Sequence, residues 1–157
     1  LSALWQPLSA ELRALDGIGT DVSVDAGRLG MAGFPEPLLA GADVVLLVVR
    51  SDLVSLAAAR QWADQLRDAE AAGAAVSRLL VVGEGRPYGA AELSKALGIT
   101  AIDGLAWDPD GAAVFSQGRQ HRKLNSTPLV RGLRVLASTV AALARSRLGA
   151  PDRVVAS

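Results

Sequence analysis

Residues 44–49 read Val-Val-Leu-Leu-Val-Val, six branched apolar side chains in succession. Successive side chains of a strand point to opposite faces, so a strand with one face in water alternates apolar and polar residues. This run leaves no face for water. It predicts a strand buried on both faces, of the kind found in parallel sheets covered by helices. A buried helix segment can carry such a run too; its shortness and side-chain branching favour the strand. From Leu53 the period changes. Leu56, Ala59, Trp62 or Ala63, Leu66 and Ala69 fall three or four apart, with Arg60, Asp64, Arg67 and Asp68 between them, which predicts a long amphipathic helix. Ser51 or Asp52 provides an N-cap and Gly73 a stop. Strand, tight turn and long helix make half of a βαβ crossover.

The rest of the chain repeats that unit. Leu4, Trp5, Leu8, Leu12 and Leu15 predict a first helix, starting properly near Pro7 and stopped by Gly17 and Gly19. Residues 20–27, ending Asp25-Ala26-Gly27, read as a short strand, and 28–37 as irregular chain. A short helix over 36–41 leads into the run at 44–49. Residues 78–83 predict a third strand, followed by a loop at 84–87 and a helix from Tyr88 or Gly89 to Leu97, closed by Gly98. A fourth strand falls within 99–105. Asp108-Pro109 and Thr127-Pro128 each pair an N-cap with proline at the first helical position; the helices they open end at Gly118 and Gly149. Strands that alternate with helices imply a three-layer, doubly wound, mostly parallel α/β sheet with helices on both faces. At 157 residues one domain is expected, over residues 1–150, with 151–157 as a frayed tail.

Composition removes several function classes. The chain contains no cysteine, which excludes disulfides, thiolate metal sites and a cysteine nucleophile. His121 is its single histidine, so a multi-histidine metal centre is excluded as well. The net charge is zero, which gives no sign of wholesale nucleic-acid binding. No apolar run approaches the roughly 18 residues that a membrane span needs. Residue 1 is Leu and the only methionine is Met31, so the chain is expected to be processed or to be part of something longer.

In doubly wound sheets ligands bind at the carboxyl ends of the strands. The four predicted ends are Asp25-Ala26-Gly27, Arg50-Ser51-Asp52, Gly83-Glu84-Gly85 and Trp107-Asp108-Pro109, and every one carries an acid. A carboxylate in the position of Asp25 is suited to holding Mg²⁺ through water beside a phosphate, or to capping the next turn. Asp52 and Asp108 precede helices directly, which favours capping. Glu84 stands between two glycines in a loop. Residues 119–123, Arg-Gln-His-Arg-Lys, form a basic loop, read as solvated, with a phosphate or acidic-surface contact as the alternative.

The order of these motifs resembles a known family. Asp21-Val-Ser-Val-Asp25-Ala-Gly27, then Ala42-Asp43 with the apolar run to Arg50, resemble the Walker B strand and the next strand of ParA/MinD-type P-loop ATPases. Glu92-Leu93-Ser94-Lys95-Ala96-Leu97-Gly98, Trp107-Asp108-Pro109-Asp110 and Ser126-Thr127-Pro128 are similar to the segments that follow in that family, above all in its actinobacterial MinD-like members linked to pilus assembly, secretion or partitioning. The resemblance spans about residues 18–147. It implies a Rossmann-like, cytoplasmic ATPase that dimerises around ATP and acts as a positioning or assembly switch. It implies that Asp25 is the switch acid holding the Mg²⁺ shell, and that Gly83 and Glu84, with Trp107, Asp108 and Pro109, flank the adenine. The chain departs from the pattern at the phosphate-binding loop. Its two lysines, Lys95 and Lys123, follow Ser94 and Arg122, and no Gly-Lys-Ser/Thr turn occurs. The expectation is a carboxyl-terminal portion of such an ATPase that binds neither ATP nor Mg²⁺ alone and does not hydrolyse ATP. The alternative is a degenerate, nucleotide-free relative that serves as a protein-interaction module.

Overall fold

The computed structural model describes residues 2–15, 19–31, 33–83, 85 and 87–148. Glu84, one of the expected adenine neighbours, and the tail at 151–157 lie outside the described residues. The elements run α1 (Ser2–Ala14), α2 (Glu36–Gly41), β1 (Val44–Arg50), α3 (Leu53–Ala71), β2 (Val76–Val82), α4 (Ala90–Leu97), β3 (Ala101–Leu105), α5 (Pro109–Gln117), a 3₁₀ turn (Leu124–Ser126) and α6 (Pro128–Leu148). The three strands pair in parallel in the order β1-β2-β3. The β1–β2 register runs from Val44 opposite Val76 to Arg50 opposite Val82. Between β2 and β3 it slips by one residue at Leu79/Leu80, where Ala101 and Asp103 face consecutive residues.

Helices cover both faces. On one face Val45, Leu47 and Val49 of β1 and Leu79 and Val81 of β2 pack with Ala59, Ala63 and Leu66 of α3 and with Leu93 and Leu97 of α4. On the other, Leu80 of β2 and Leu105 of β3 pack with Leu136 of α6, and Leu46, Ile102, Leu129 and Val140 border them. The α/β architecture with a parallel sheet between helix layers is the expected one.

Three expectations need correction. Residues 20–27 form no strand; they run without a ladder partner, and Val22 and Val24 remain 44% and 46% exposed. A strand needs a neighbour for its backbone groups, and among the described residues none pairs with this segment. The strand buried on both faces is β2, not β1. Leu79, Leu80 and Val81 are at most 4% exposed, whereas Val48 of β1 is 58% exposed, because among the described residues β1 has a partner strand on one side only. Finally, α1 begins by Ser2 and passes through Pro7 instead of starting near it.

One face of α1 lies along the segment that ends in α2. Trp5 Nε1 donates to the Gly33 carbonyl at 2.8 Å, Ser9 Oγ to that of Pro37 at 3.0 Å and Arg13 Nε to that of Gly41 at 3.1 Å. Both members of each pair advance by four residues, so the two backbones run side by side. Gly41 permits the approach: a Cβ there would stand 2.6 Å from Ser9 Oγ. α2 in turn borders the α3–α4 side of the sheet through Leu39, and the Phe34 ring packs on Trp62 of α3 with centroids 5.9 Å apart.

Candidate functional site

The carboxyl ends of the three strands bring together Arg50, Ser51 and Asp52 after β1, Gly83 after β2, and Trp107, Asp108 and Pro109 after β3. The Ser51 N–H donates to the Val82 carbonyl at 3.0 Å and so extends the ladder past the end of β1. The Ser51 hydroxyl, buried at 4% exposure, donates to the Tyr88 carbonyl and accepts from the Tyr88 N–H. One side chain thereby ties down the loop that follows β2. Asp52, not Ser51, caps α3, accepting from the Ser55 N–H at 2.8 Å and the Ser55 hydroxyl at 3.1 Å. The Ser55 N–H, then its hydroxyl and the Arg50 guanidinium 3.5 Å away, hold the Asp52 carboxyl below its ordinary value against the desolvation that raises it.

Gly83 turns the chain at φ +79°, where a side chain is strained, and its N–H donates to the Leu105 carbonyl at 2.8 Å. A Cβ on Gly83 would lie 3.8 Å from Trp107 Cβ, so this glycine and the indole are neighbours. Trp107 is 62% exposed, and the Arg50 guanidinium sits over its ring at 4.9 Å from the centroid, within cation–π reach. Asp108 is the N-cap of α5, which Pro109 opens. Its Oδ1 accepts from the Gly111 N–H at 2.9 Å, and its Oδ2 accepts from the Leu129 N–H at 3.2 Å, in the first turn of α6. Those two N–H groups, the Gly111 one foremost, hold its carboxyl below the ordinary range, with His121 and Thr127 adding to the effect. Both Asp108 oxygens are therefore committed to helix starts. The surface left for a ligand consists of the exposed indole, its guanidinium cover and the glycine turn beside it.

Asp25 belongs to a different cleft. Its Oδ1 accepts from the Gly27 N–H at 2.9 Å in a local turn, and the side chain is exposed. It lines a cleft of about 240 Å³ with Trp5, Met31, Phe34 and Leu38, and none of Gly83, Trp107, Asp108 or Pro109 borders that space. A second cleft, of about 350 Å³, opens between Arg67, Glu70, Arg78 and Thr100, where β2 begins and β3 is about to begin. Among the described residues no three acids or histidines gather as metal ligands. For ATP and Mg²⁺ the fit is partial: an aromatic surface and one carboxylate with a free oxygen are present, and no lysine-bearing turn cradles the terminal phosphates. Sequence reasoning missed Arg50 and the Ser51–Tyr88 clamp. A cation directly after an apolar strand was the available signal, but its indole partner lies 57 positions away along the chain.

No protein-family model matches the chain, and no curated protein matches it in sequence. Among solved structures it is similar to the MinD cell division protein of Aquifex aeolicus, with a TM-score of 0.68 and 16% identity over 96% of this chain. The chain spans 61% of the length of that MinD. No helix among the described residues is long and apolar enough to cross a membrane. The likeness, at this identity, is one of fold, and the chain folds as a MinD-like α/β unit.

Proposed function

We propose that this chain is the carboxyl-terminal part of a ParA/MinD-like nucleotide switch that works inside the cell in partitioning, pilus assembly or secretion, and that dimerises around ATP. The observation that carries the reading is the exposed Trp107, with Gly83 beside it, at the carboxyl edge of a parallel sheet whose fold is MinD-like. The Trp107-Asp108-Pro109 turn, with Gly83 beside the indole and Glu84 next in sequence, would flank the adenine. Asp25 would hold Mg²⁺ through water with the oxygen that Gly27 leaves free. The terminal phosphates would come to rest on a Gly-Lys-Ser/Thr turn upstream of these 157 residues, on a strand that pairs with the open edge of β1. On this reading the 157 residues alone do not hydrolyse ATP.

A second reading, a nucleotide-free relative that acts through protein contacts, draws on the Arg50 guanidinium over the indole face and on the separation of Asp25 from Trp107. Two substitutions in a chain extended upstream in its own gene separate the readings. Asp25→Ala is expected to remove the Mg²⁺-dependent gain in ATP affinity and to leave metal-free binding unchanged. Trp107→Ala is expected to weaken ATP with or without metal, by about tenfold or more, the order of one lost base–aromatic stack. Absence of ATP binding by the wild type and by both variants would favour the second reading.

A further inference from the structure

The last residue of the apolar strand β1 is a cation, Arg50, and its side chain is 64% exposed. Yet the guanidinium does not point away into water. It lies over the Trp107 ring, 4.9 Å from the centroid. β1 and β3 stand on opposite sides of β2, two strand spacings or about 10 Å apart, so this side chain crosses the carboxyl end of β2 to reach the indole. A carboxylate steadies it there. Arg50 Nε stands 3.5 Å from Asp52 Oδ2, and Asp52 is itself fixed by the Ser55 N–H and hydroxyl at the start of α3. At exposed sites a cation–π contact shifts an equilibrium by only about two- to fivefold, and an exposed ion pair by about as much or less. The cover therefore holds in the empty protein and yields to a ligand that offers the guanidinium more.

We propose that Arg50 sets the ligand class of this edge: it admits nucleotides that carry phosphates and disfavours neutral planar ligands, adenosine included. The inference rests on the nucleotide reading above. One charge has two effects there. A neutral base gains the indole face under Arg50 only by displacing the guanidinium, and gives it nothing in return. A nucleotide gives it an anion. In the strand order β1 stands between the indole, which follows β3, and the open edge, beyond which the phosphate-binding turn is proposed to lie. A nucleotide with its base beside Trp107 and its terminal phosphates past that edge spans the end of β1, where Arg50 is rooted. The guanidinium then trades the indole and Asp52 for a phosphate oxygen. A charge-assisted hydrogen bond to phosphate is stronger than either contact it replaces, and the guanidinium presents a fork of N–H donors for it. Asp25 lines a separate cleft and its proposed role needs Mg²⁺, whereas that of Arg50 does not.

Binding measured without metal tests the assignment. The chain extended upstream in its own gene is titrated with ATP and with adenosine in EDTA, as the wild type and as Arg50→Ser, Arg50→Lys and Asp52→Asn; circular dichroism checks the fold of each. Arg50→Ser is expected to weaken ATP by about tenfold, the order of one lost charge-assisted bond, and to tighten adenosine by about two- to fivefold, the order of the lost cover. Arg50→Lys keeps the charge and is expected to keep most of the preference for ATP. Asp52→Asn keeps a capping oxygen and removes the counter-charge, which frees the guanidinium and is expected to tighten ATP by about two- to fivefold. Affinities for both ligands that fall together in Arg50→Ser would make Arg50 a structural support, and unchanged affinities would make it a bystander. Either result overturns the inference and leaves the nucleotide reading standing, as would an Arg50→Lys chain that loses ATP as fully as Arg50→Ser or an Asp52→Asn chain that binds ATP less well than the wild type. A wild type that binds neither ligand would overturn the nucleotide reading and this inference with it.

Discussion

The Asp108 carboxylate satisfies free N–H groups at the start of two helices, Gly111 in α5 and Leu129 in α6, so its removal loosens a junction and not just one turn. Asp108→Ala is expected to lower the thermal midpoint more than Asp52→Ala, whose carboxylate caps α3 alone. Asp108→Asn, which keeps one acceptor oxygen, falls between Asp108→Ala and the wild type. The pH dependence follows from the direction of the shift. The folded Asp108 carboxyl titrates below its ordinary 3.8, so its contribution is complete above that pH and is lost as pH falls through the lower, folded value. Thermal melts across that range are expected to show a steeper acid loss for the wild type than for Asp108→Asn. Half of this was legible: Asp-Pro announces a cap. The Leu129 partner, 21 residues on, was not, since a sequence shows a local hydrogen bond far better than one made by folding.

At the scale of elements, the apolar run is a strand, as expected, but not one buried on both faces. Branched residues report an apolar surrounding without telling a central strand from an edge strand. The sequence of β2, Val-Ser-Arg-Leu-Leu-Val-Val, looks less buried because two polar residues interrupt it, yet both are provided for. The Ser77 N–H donates to Glu70 Oε2 at 3.0 Å, and Arg78 reaches Glu70 Oε1 at 3.3 Å. Substitution separates the two strands. Leu79→Ala, at a fully buried position, is expected to cost about 2–5 kcal/mol in denaturant unfolding. Val48→Thr on the open side of β1 is expected to change stability by less than about 0.5 kcal/mol. Comparable losses at both positions would mean that β1 is covered in solution. The apolar alternation of Val22 and Val24 shows the same limit: the pattern permits a strand, and only a neighbour makes one.

For the whole molecule, the order of motifs carried more information than any one of them. No single segment of this chain identifies its fold, and no family model matches its sequence, yet the succession of strand ends, caps and helices resembled the MinD family, and the structure superposes on a MinD at 16% identity. The candidate site was legible where local grammar marks strand ends, at Gly83, Trp107 and Asp108. It was illegible where distant residues meet, as Arg50 does with Trp107. The central claim is that these 157 residues supply the adenine side of a nucleotide switch and depend on an upstream turn for the phosphates. The measurement that tests it most directly is calorimetric titration of ATP with Mg²⁺ into this chain and, in parallel, into a chain extended upstream in its own gene. Saturable binding by the extended chain alone is the predicted result. Absence of binding by both would contradict the claim and leave the fold to serve a protein partner.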